Sequence, residues 1–155
     1  MKILAANKKA RYDYKILETC EAGLVLYGFE VKAIKTGHIS LVGSYVVSKG
    51  SEFYLINALV PPYQPANTPT DYDPNRSRKL LLKKSEISSL IGKSRTKGLT
   101  LVPLRIYTKK SRTPQGRGKI KLGFGLGKGK RKIDKREKIK KRDIEREIGR
   151  KLRGR

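Results

Sequence analysis

The sequence predicts a mainly β protein, a closed antiparallel barrel with short helices, followed by a basic C-terminal tail. Three observations carry that expectation. The dominant hydrophobic period before residue 127 is two, as half-buried strands require. Within that same part of the chain, helical spacing is confined to two short stretches. Apolar residues then become scarce after Leu126, just where Lys and Arg become dense.

Taken in order, Tyr14–Leu17 and Leu24–Tyr27 read as two strands, or as one long bent strand broken near Ala22-Gly23. Phe29–Lys35 reads as a helix with Val31 and Ile34 inward and Gly37 as its stop. Val46–Ile56 reads as a hairpin turning at Lys49–Ser51. Ser85–Lys97 is the second helix, with Ser85 as N-cap and Ile87, Leu90 and Ile91 as its apolar stripe. Thr100–Tyr107 is a strand in which Pro103, lacking an N–H for the ladder, demands an edge or a bulge. From Lys119 to Leu126 the alternation has no slip. Ile120, Leu122, Phe124 and Leu126 share one face; Lys119, Lys121 and two glycines share the other, which reads as basic or open to close backbone approach. Five or six antiparallel strands with two helices suit a small closed barrel, because closure removes exposed edges. The oligonucleotide-binding (OB) barrel leads that class.

A chain of 155 residues has room for one core and a tail. Its 38 Lys+Arg against 13 Asp+Glu give a net charge of +25, which repels itself unless a polyanion neutralises it. Nucleic acid is the first candidate and an anionic membrane surface the second. One cysteine, Cys20, excludes an internal disulfide and a Cys-based zinc site, and the single histidine, His38, excludes a His-rich metal site. No apolar run approaches the ~18 residues of a bilayer span, and Met1–Arg11 lacks the apolar core of a secretory signal. The expectation is a soluble, cytoplasmic protein without membrane attachment.

The chemistry points the same way. Between Arg76 and Lys121 lie 15 basic residues and one acid, Glu86, whereas solvated faces normally mix signs. Lys and Arg there would bind phosphates, positioning a nucleic acid without reading its sequence. Tyr12, Tyr14, Tyr63, Tyr72 and Tyr107 are candidate stacking platforms, although any single tyrosine is more often a core or barrel-mouth residue. Asp71 and Asp73, in a proline-rich loop, read as turn formers before they read as Mg²⁺ ligands. The glycine-rich Gly123–Gly129 lacks the Gly-Lys-Ser/Thr ending of a phosphate loop. No catalytic residue, metal or cofactor is expected; the protein reads as a binder, not an enzyme.

The boundary falls at residue 127, giving a folded domain over 1–127 and a tail over 128–155. The tail carries 15 Lys+Arg against 5 Asp+Glu, and its apolar side chains are Ile133, Ile139, Ile144, Ile148 and Leu152. So few cannot offset the ordering entropy, and the tail is expected to be disordered when free. Drawn as a helix it places Ile133, Ile144, Ile148 and Leu152 on one side, with acid-before-base pairs Asp134–Lys138, Glu137–Lys141 and Glu147–Lys151 at i,i+4. Such a segment is expected to become helical on a phosphate-rich partner.

These residues also carry a family resemblance. Asn7-Lys8-Lys9-Ala10-Arg11-Tyr12-Asp13-Tyr14, Glu18-Thr19-Cys20-Glu21-Ala22-Gly23 and Gly28-Phe29-Glu30-Val31-Lys32 resemble the opening of the small protein B family, the SsrA-binding proteins of bacteria. The resemblance continues through Asp73-Pro74-Asn75-Arg76-Ser77-Arg78-Lys79-Leu80-Leu81-Leu82 and Lys97-Gly98-Leu99-Thr100-Leu101-Val102-Pro103-Leu104. It ends with Gly127-Lys128-Gly129-Lys130-Arg131 and Asp134-Lys135-Arg136-Glu137. It implies an OB barrel that grips the tRNA-like domain of transfer-messenger RNA (SsrA RNA) and delivers it to stalled ribosomes for trans-translation. The matching positions imply RNA contact by Glu21, Leu81 and Lys119, and the basic and aromatic residues around them add Arg11, Tyr12, Lys32, Arg76, Arg78 and Lys79. Gly129, Lys130, Arg131, Asp134, Lys135 and Arg136 match the tail segment that probes the empty mRNA channel and decoding centre. The partners implied are transfer-messenger RNA and ribosomal RNA, and the free protein is expected to be a monomer. Departures are a short segment before Asn7, a tyrosine at position 12 where relatives often have histidine, and an enlarged turn at Thr113–Gly118. The charge and the tail alone would equally suit a basic ribosomal structural protein with an OB-like fold.

Overall fold

A computed structural model describes residues 2–64, 66, 68–109 and 119–130. The elements run β1 (Lys2–Ala6), α1 (Lys8–Asp13), β2 (Tyr14–Leu24), α2 (Gly28–Lys35), β3 (Tyr45–Lys49), β4 (Glu52–Ile56), β5 (Arg78–Leu81), α3 (Lys84–Ser94), β6 (Leu99–Lys109) and β7 (Lys119–Gly129). The strands are antiparallel in the order β1-β6-β3-β4-β5-β2-β7, and β7 pairs back onto β6. That last pairing closes β2 to β7 into a barrel and leaves β1 as an added strand on β6. The expected closed barrel is what forms. No helix among the described residues is long and apolar enough to cross a membrane.

Its interior follows from the alternation. Ile120, Leu122, Phe124 and Leu126 of β7 point inward against Phe53 and Leu55 of β4, Leu101 and Ile106 of β6, and Ala33 and Ile34 of α2. The β3–β4 hairpin turns at Gly50-Ser51, with Gly50 at φ 66°, as the sequence predicts. Gly37 stops α2 at φ 85°. Leu90 of α3 is buried, with Ile87 and Ile91 half-buried beside it. This helix begins earlier than expected: Lys83, not Ser85, is the N-cap, because the Lys83 carbonyl already accepts the Ile87 N–H at 2.9 Å.

The two possible strands around Ala22-Gly23 resolve as one. β2 is continuous from Tyr14 to Leu24, and residues 25–27 leave the sheet to enter α2. Two bulges give the barrel a second, smaller core on its outside. On β6 the register against β7 slips between Pro103 and Arg105, and on β2 it slips between Ile16 and Glu18. Each slip keeps the pleat in phase with the interior on one side of the bulge and turns Ile16, Val102 and Leu104 outward on the other. There they pack with Ala10 of α1 and with Tyr14. This is the close approach that the glycines on the outer face of β7 allow. A Cβ at Gly125 would sit 2.8 Å from Ile16 Cγ2 and 3.0 Å from the Glu18 carbonyl, and one at Gly127 3.1 Å from Tyr14 Cβ. The glycines admit the chain's own side chains.

Asn7 ties this outer core down. Its side chain caps α1 by accepting the Ala10 N–H at 3.3 Å, and its amide donates to the carbonyls of Pro103 (3.0 Å) and Leu41 (3.3 Å). β1 and α1 carry no strong periodic signal. One has five residues and the other six, and their order comes from β6 and from Asn7.

Candidate nucleic-acid interface

Because Ala22, Leu80, Ile106, Ile120 and Leu122 point inward, the alternate positions on four neighbouring strands share one outer face. Lys79 and Leu81 of β5 lie there, with Glu21 and Gly23 of β2, Lys119, Lys121 and Gly123 of β7, and Arg105, Tyr107 and Lys109 of β6. The barrel thus gathers four of the sequence-predicted residues, Glu21, Lys79, Leu81 and Lys119.

A groove of about 400 Å³ runs between this face and α2, floored by Leu24, Leu26, Val31 and Ile120 and rimmed by Lys35, Lys119 and Lys121. Leu81 lies on its wall with 54% of its surface exposed. It rests on Gly23, where a Cβ would stand only 3.3 Å from Leu81 Cβ. An exposed leucine ringed by ammonium groups, with no carboxylate among the described lining residues, suits a nucleotide: apolar surface for the base and charge for the phosphate.

Beside it lies a smaller groove of about 240 Å³ lined by Arg11, Glu21, Arg105 and Tyr107. The Tyr107 hydroxyl donates to Glu21 Oε2, and Lys109 Nζ stands 3.3 Å from Oε1. The Tyr107 hydroxyl and then Lys109 hold the Glu21 carboxyl below the usual range, so it stays ionised. Burial, then Glu21, pushes the Tyr107 phenol up. The Arg105 guanidinium carbon lies 5.2 Å from the centre of the Tyr107 ring.

The remaining residues divide. Arg11 and Lys32 are exposed, on α1 and α2, and Tyr12 is half-buried on α1. Lys79 is paired with Glu52 at 2.7 Å. Arg76 is held by Glu30, with its guanidinium carbon 4.2 Å over the Tyr27 ring. Arg78 requires a correction: it is 0% exposed and has no surface to offer RNA. Its Nε donates to Glu30 Oε2 at 2.8 Å, and its remaining donors reach the carbonyls of Ala58 (2.7 Å), Arg76 (3.2 Å) and Pro74 (3.0 Å) and the Tyr72 hydroxyl (3.0 Å). Glu30, equally buried, also accepts the Tyr27 N–H at 2.9 Å and the Tyr72 hydroxyl at 2.9 Å. Burial pushes its carboxyl up, but the bonds from Arg76, the Tyr27 N–H and Arg78 outweigh that and leave it below the usual range. Burial and Glu30 push the Tyr72 phenol up to about 12.

This network removes Tyr72 from the stacking candidates, Glu21 engages Tyr107, and Tyr14 packs over Gly127 in the outer core. Tyr63 stays 38% exposed. An exposed aromatic outside those candidates is Tyr27, 54% exposed, stacked on Phe29 at 5.4 Å and covered by Arg76. Its only sequence signal was its place before a helix start. Asp73 behaves as a turn former, its Oδ1 accepting the Asn75 N–H at 2.9 Å. Burial, then Glu18, pushes the Cys20 thiol up, away from nucleophilic use. Among the described residues no group of three His, Cys, Asp or Glu could hold a metal.

At the root of the tail, Gly129 pairs with Tyr14, the Lys130 N–H donates to the Asp13 carbonyl at 2.9 Å, and Lys130 Nζ donates to the Arg11 carbonyl at 3.0 Å. Arg131, Asp134, Lys135 and Arg136, the tail helix and the Thr113–Gly118 turn lie outside the described residues.

Comparison with known proteins agrees with this layout. The family described as SmpB protein matches residues 4–154. The SsrA-binding protein of Persephonella marina is 44% identical over 154 residues, spanning 99% of this chain and 96% of its own. That of Sulfurihydrogenibium sp. is 47% identical over 153 residues, with 99% and 95% covered. That of Enterococcus faecalis is 43% identical over 151 residues, with 97% and 93% covered. Among solved structures, a chain described under "tmRNA-SmpB: a journey to the center of the bacterial ribosome" superposes with a TM-score of 0.66 at 43% identity, covering 87% of this chain and 93% of its own. With the family pattern matched almost end to end and the barrel shared, this chain belongs to the SmpB family.

Proposed function

We infer that this protein binds the tRNA-like domain of transfer-messenger RNA and carries it to stalled ribosomes for trans-translation. Family membership, with relatives named for SsrA binding at 43–47% identity, is the observation that supports it most. The lysine-rimmed groove with Leu81 on its wall is the surface that fits such a ligand.

In this reading Lys35, Lys119 and Lys121 neutralise phosphates and Leu81 packs against an unpaired base. Arg11, Tyr12 and Lys32 extend the contact on the helices, and Arg76 and Lys79 contribute where their carboxylate partners leave donors free. Gly129 and Lys130 are tied to the barrel at the root of the tail. Arg131, Asp134, Lys135 and Arg136 then reach the decoding centre and the empty mRNA channel. The protein works in the cytoplasm as a monomer and contributes binding rather than a catalytic step. Sequencing the RNA that copurifies with it tests this: one small RNA with a tRNA-like end is expected. Ribosomal RNA alone, in proportion to all ribosomes, would overturn it in favour of a ribosomal structural protein.

A further inference from the structure

An acid at the centre of a face that binds a polyanion is a repulsive charge, and its presence needs a physical reason. Glu21 is that acid, with Arg11, Arg105, Lys109 and Lys121 around it. We propose that Glu21 is a positioning residue: its carboxylate reaches across Gly123 to fasten Tyr107 and Lys109, and through Tyr107 it fixes Arg105 for phosphate contact. The proposal rests on the RNA-binding reading above and assigns new roles to Tyr107, Arg105, Lys109 and Gly123.

Strand geometry makes the case. Glu21 on β2 is paired with Gly123 on β7, and Gly123 is paired with Arg105 on β6. Glu21 therefore reaches a residue two strands away, a span of ~9.6 Å between backbones. Any side chain on the middle strand would stand in the path. At Gly123 a Cβ would lie 3.2 Å from Tyr107 Cε1 and 3.2 Å from Arg105 Cγ, tighter than ordinary contact. The glycine is the gap through which the clasp passes.

Need on the other side completes it. Tyr107 is only 4% exposed, and Glu21 is the acceptor its hydroxyl finds. Without the carboxylate, a buried phenol would lose its partner and the ring its fixed orientation. The ring is also the surface over which the Arg105 guanidinium lies, at 5.2 Å. Lys109, 62% exposed, is tethered to the other carboxylate oxygen at 3.3 Å. One acid thus orders two long cations that would otherwise lose rotamer freedom only on meeting RNA.

The consequence has a sign that simple charge does not share. If Glu21 acted only as a repulsive charge, its removal would tighten RNA binding. As a clasp, its removal loosens binding. The experiment measures affinity for the isolated tRNA-like RNA, against an ordinary tRNA, over a salt series, with thermal unfolding of every variant. Tyr107→Phe keeps the ring and leaves the Glu21 carboxylate intact. It is expected to weaken binding by about tenfold, 1.4 kcal/mol, and Glu21→Ala, which also releases Lys109, by at least as much, with the double variant no worse than Glu21→Ala alone. Glu21→Gln keeps an acceptor for the phenol and should restore most of the affinity lost in Glu21→Ala. Loss of the ordered cations should lower the salt slope by about one phosphate contact. Wild-type affinity in Tyr107→Phe together with a loss in Glu21→Gln would overturn the proposal and make Glu21 a direct reader of base edges. Tighter binding by Glu21→Ala would overturn it too. Should the unaltered protein fail to prefer the tRNA-like RNA over tRNA, the functional reading fails first, and that outcome is distinct from both.

Discussion

Replacing Arg78 with methionine tests the central correction, that this arginine belongs to the fold. The side chain is fully buried, and the substitution keeps its approximate length while removing every donor it gives to Glu30, Ala58, Pro74 and Tyr72. Glu30, also fully buried, would keep Arg76 but lose the partner on its inner side. Removing one member of a buried pair typically costs ~3–5 kcal/mol, because an uncompensated charge stays behind. For a domain of this size that lowers the melting temperature by on the order of 10–20 °C. Denaturant unfolding followed by circular dichroism measures it. The penalty should also depend on pH. Glu30 has a folded pKa below its unfolded value, so its stabilisation is fully present above ~4.3 and lost as pH falls through the folded value. In Arg78→Met that folded value rises, so the penalty should be largest at neutral pH and shrink toward pH 4, where the stranded carboxyl can take a proton. A cost below ~1 kcal/mol, the range of surface pairs, with no pH dependence, would refute the reasoning and return Arg78 to the surface.

Gly125→Ala should destabilise by ~1–3 kcal/mol in the same unfolding assay, because its Cβ meets Ile16 and the Glu18 carbonyl and backbone cannot swing aside. Binding to the tRNA-like RNA should fall steeply with salt: about five phosphate contacts give a log–log slope on the order of −4, and an affinity indifferent to salt would remove the electrostatic account. Leu81→Ala, at an exposed position, should shift stability by less than ~0.5 kcal/mol yet weaken RNA binding in a filter or fluorescence titration, and Lys119→Ala should do the same. Truncation after Lys130 should leave RNA affinity within about tenfold, 1.4 kcal/mol, while abolishing alanine-tag addition on a stalled ribosome in a purified system; a larger loss of affinity would place the tail in the RNA site.

Much of the barrel was legible in the residues themselves. The unbroken alternation from Lys119 to Leu126, the hairpin around Gly50 and the bulge at Pro103 depend on side-chain direction, a positive φ and a missing N–H. Each of these acts within a few residues, so a short window of sequence contains its cause. The excess of Lys and Arg, and hence the expectation of an anionic partner, likewise needs no coordinates. Closure of the barrel decided the rest. Arg78 reads as a surface charge until Glu30, 48 residues away, is brought against it, and the hydrogen-bond partner of Glu21, Tyr107, lies 86 residues away in the chain. Nothing local distinguishes Arg78 from Arg95, exposed in the same stretch, or says which side chains fill the glycine face of β7. Burial and pairing of a charge depend on which strands become neighbours, and that is settled by the joint packing of the whole core.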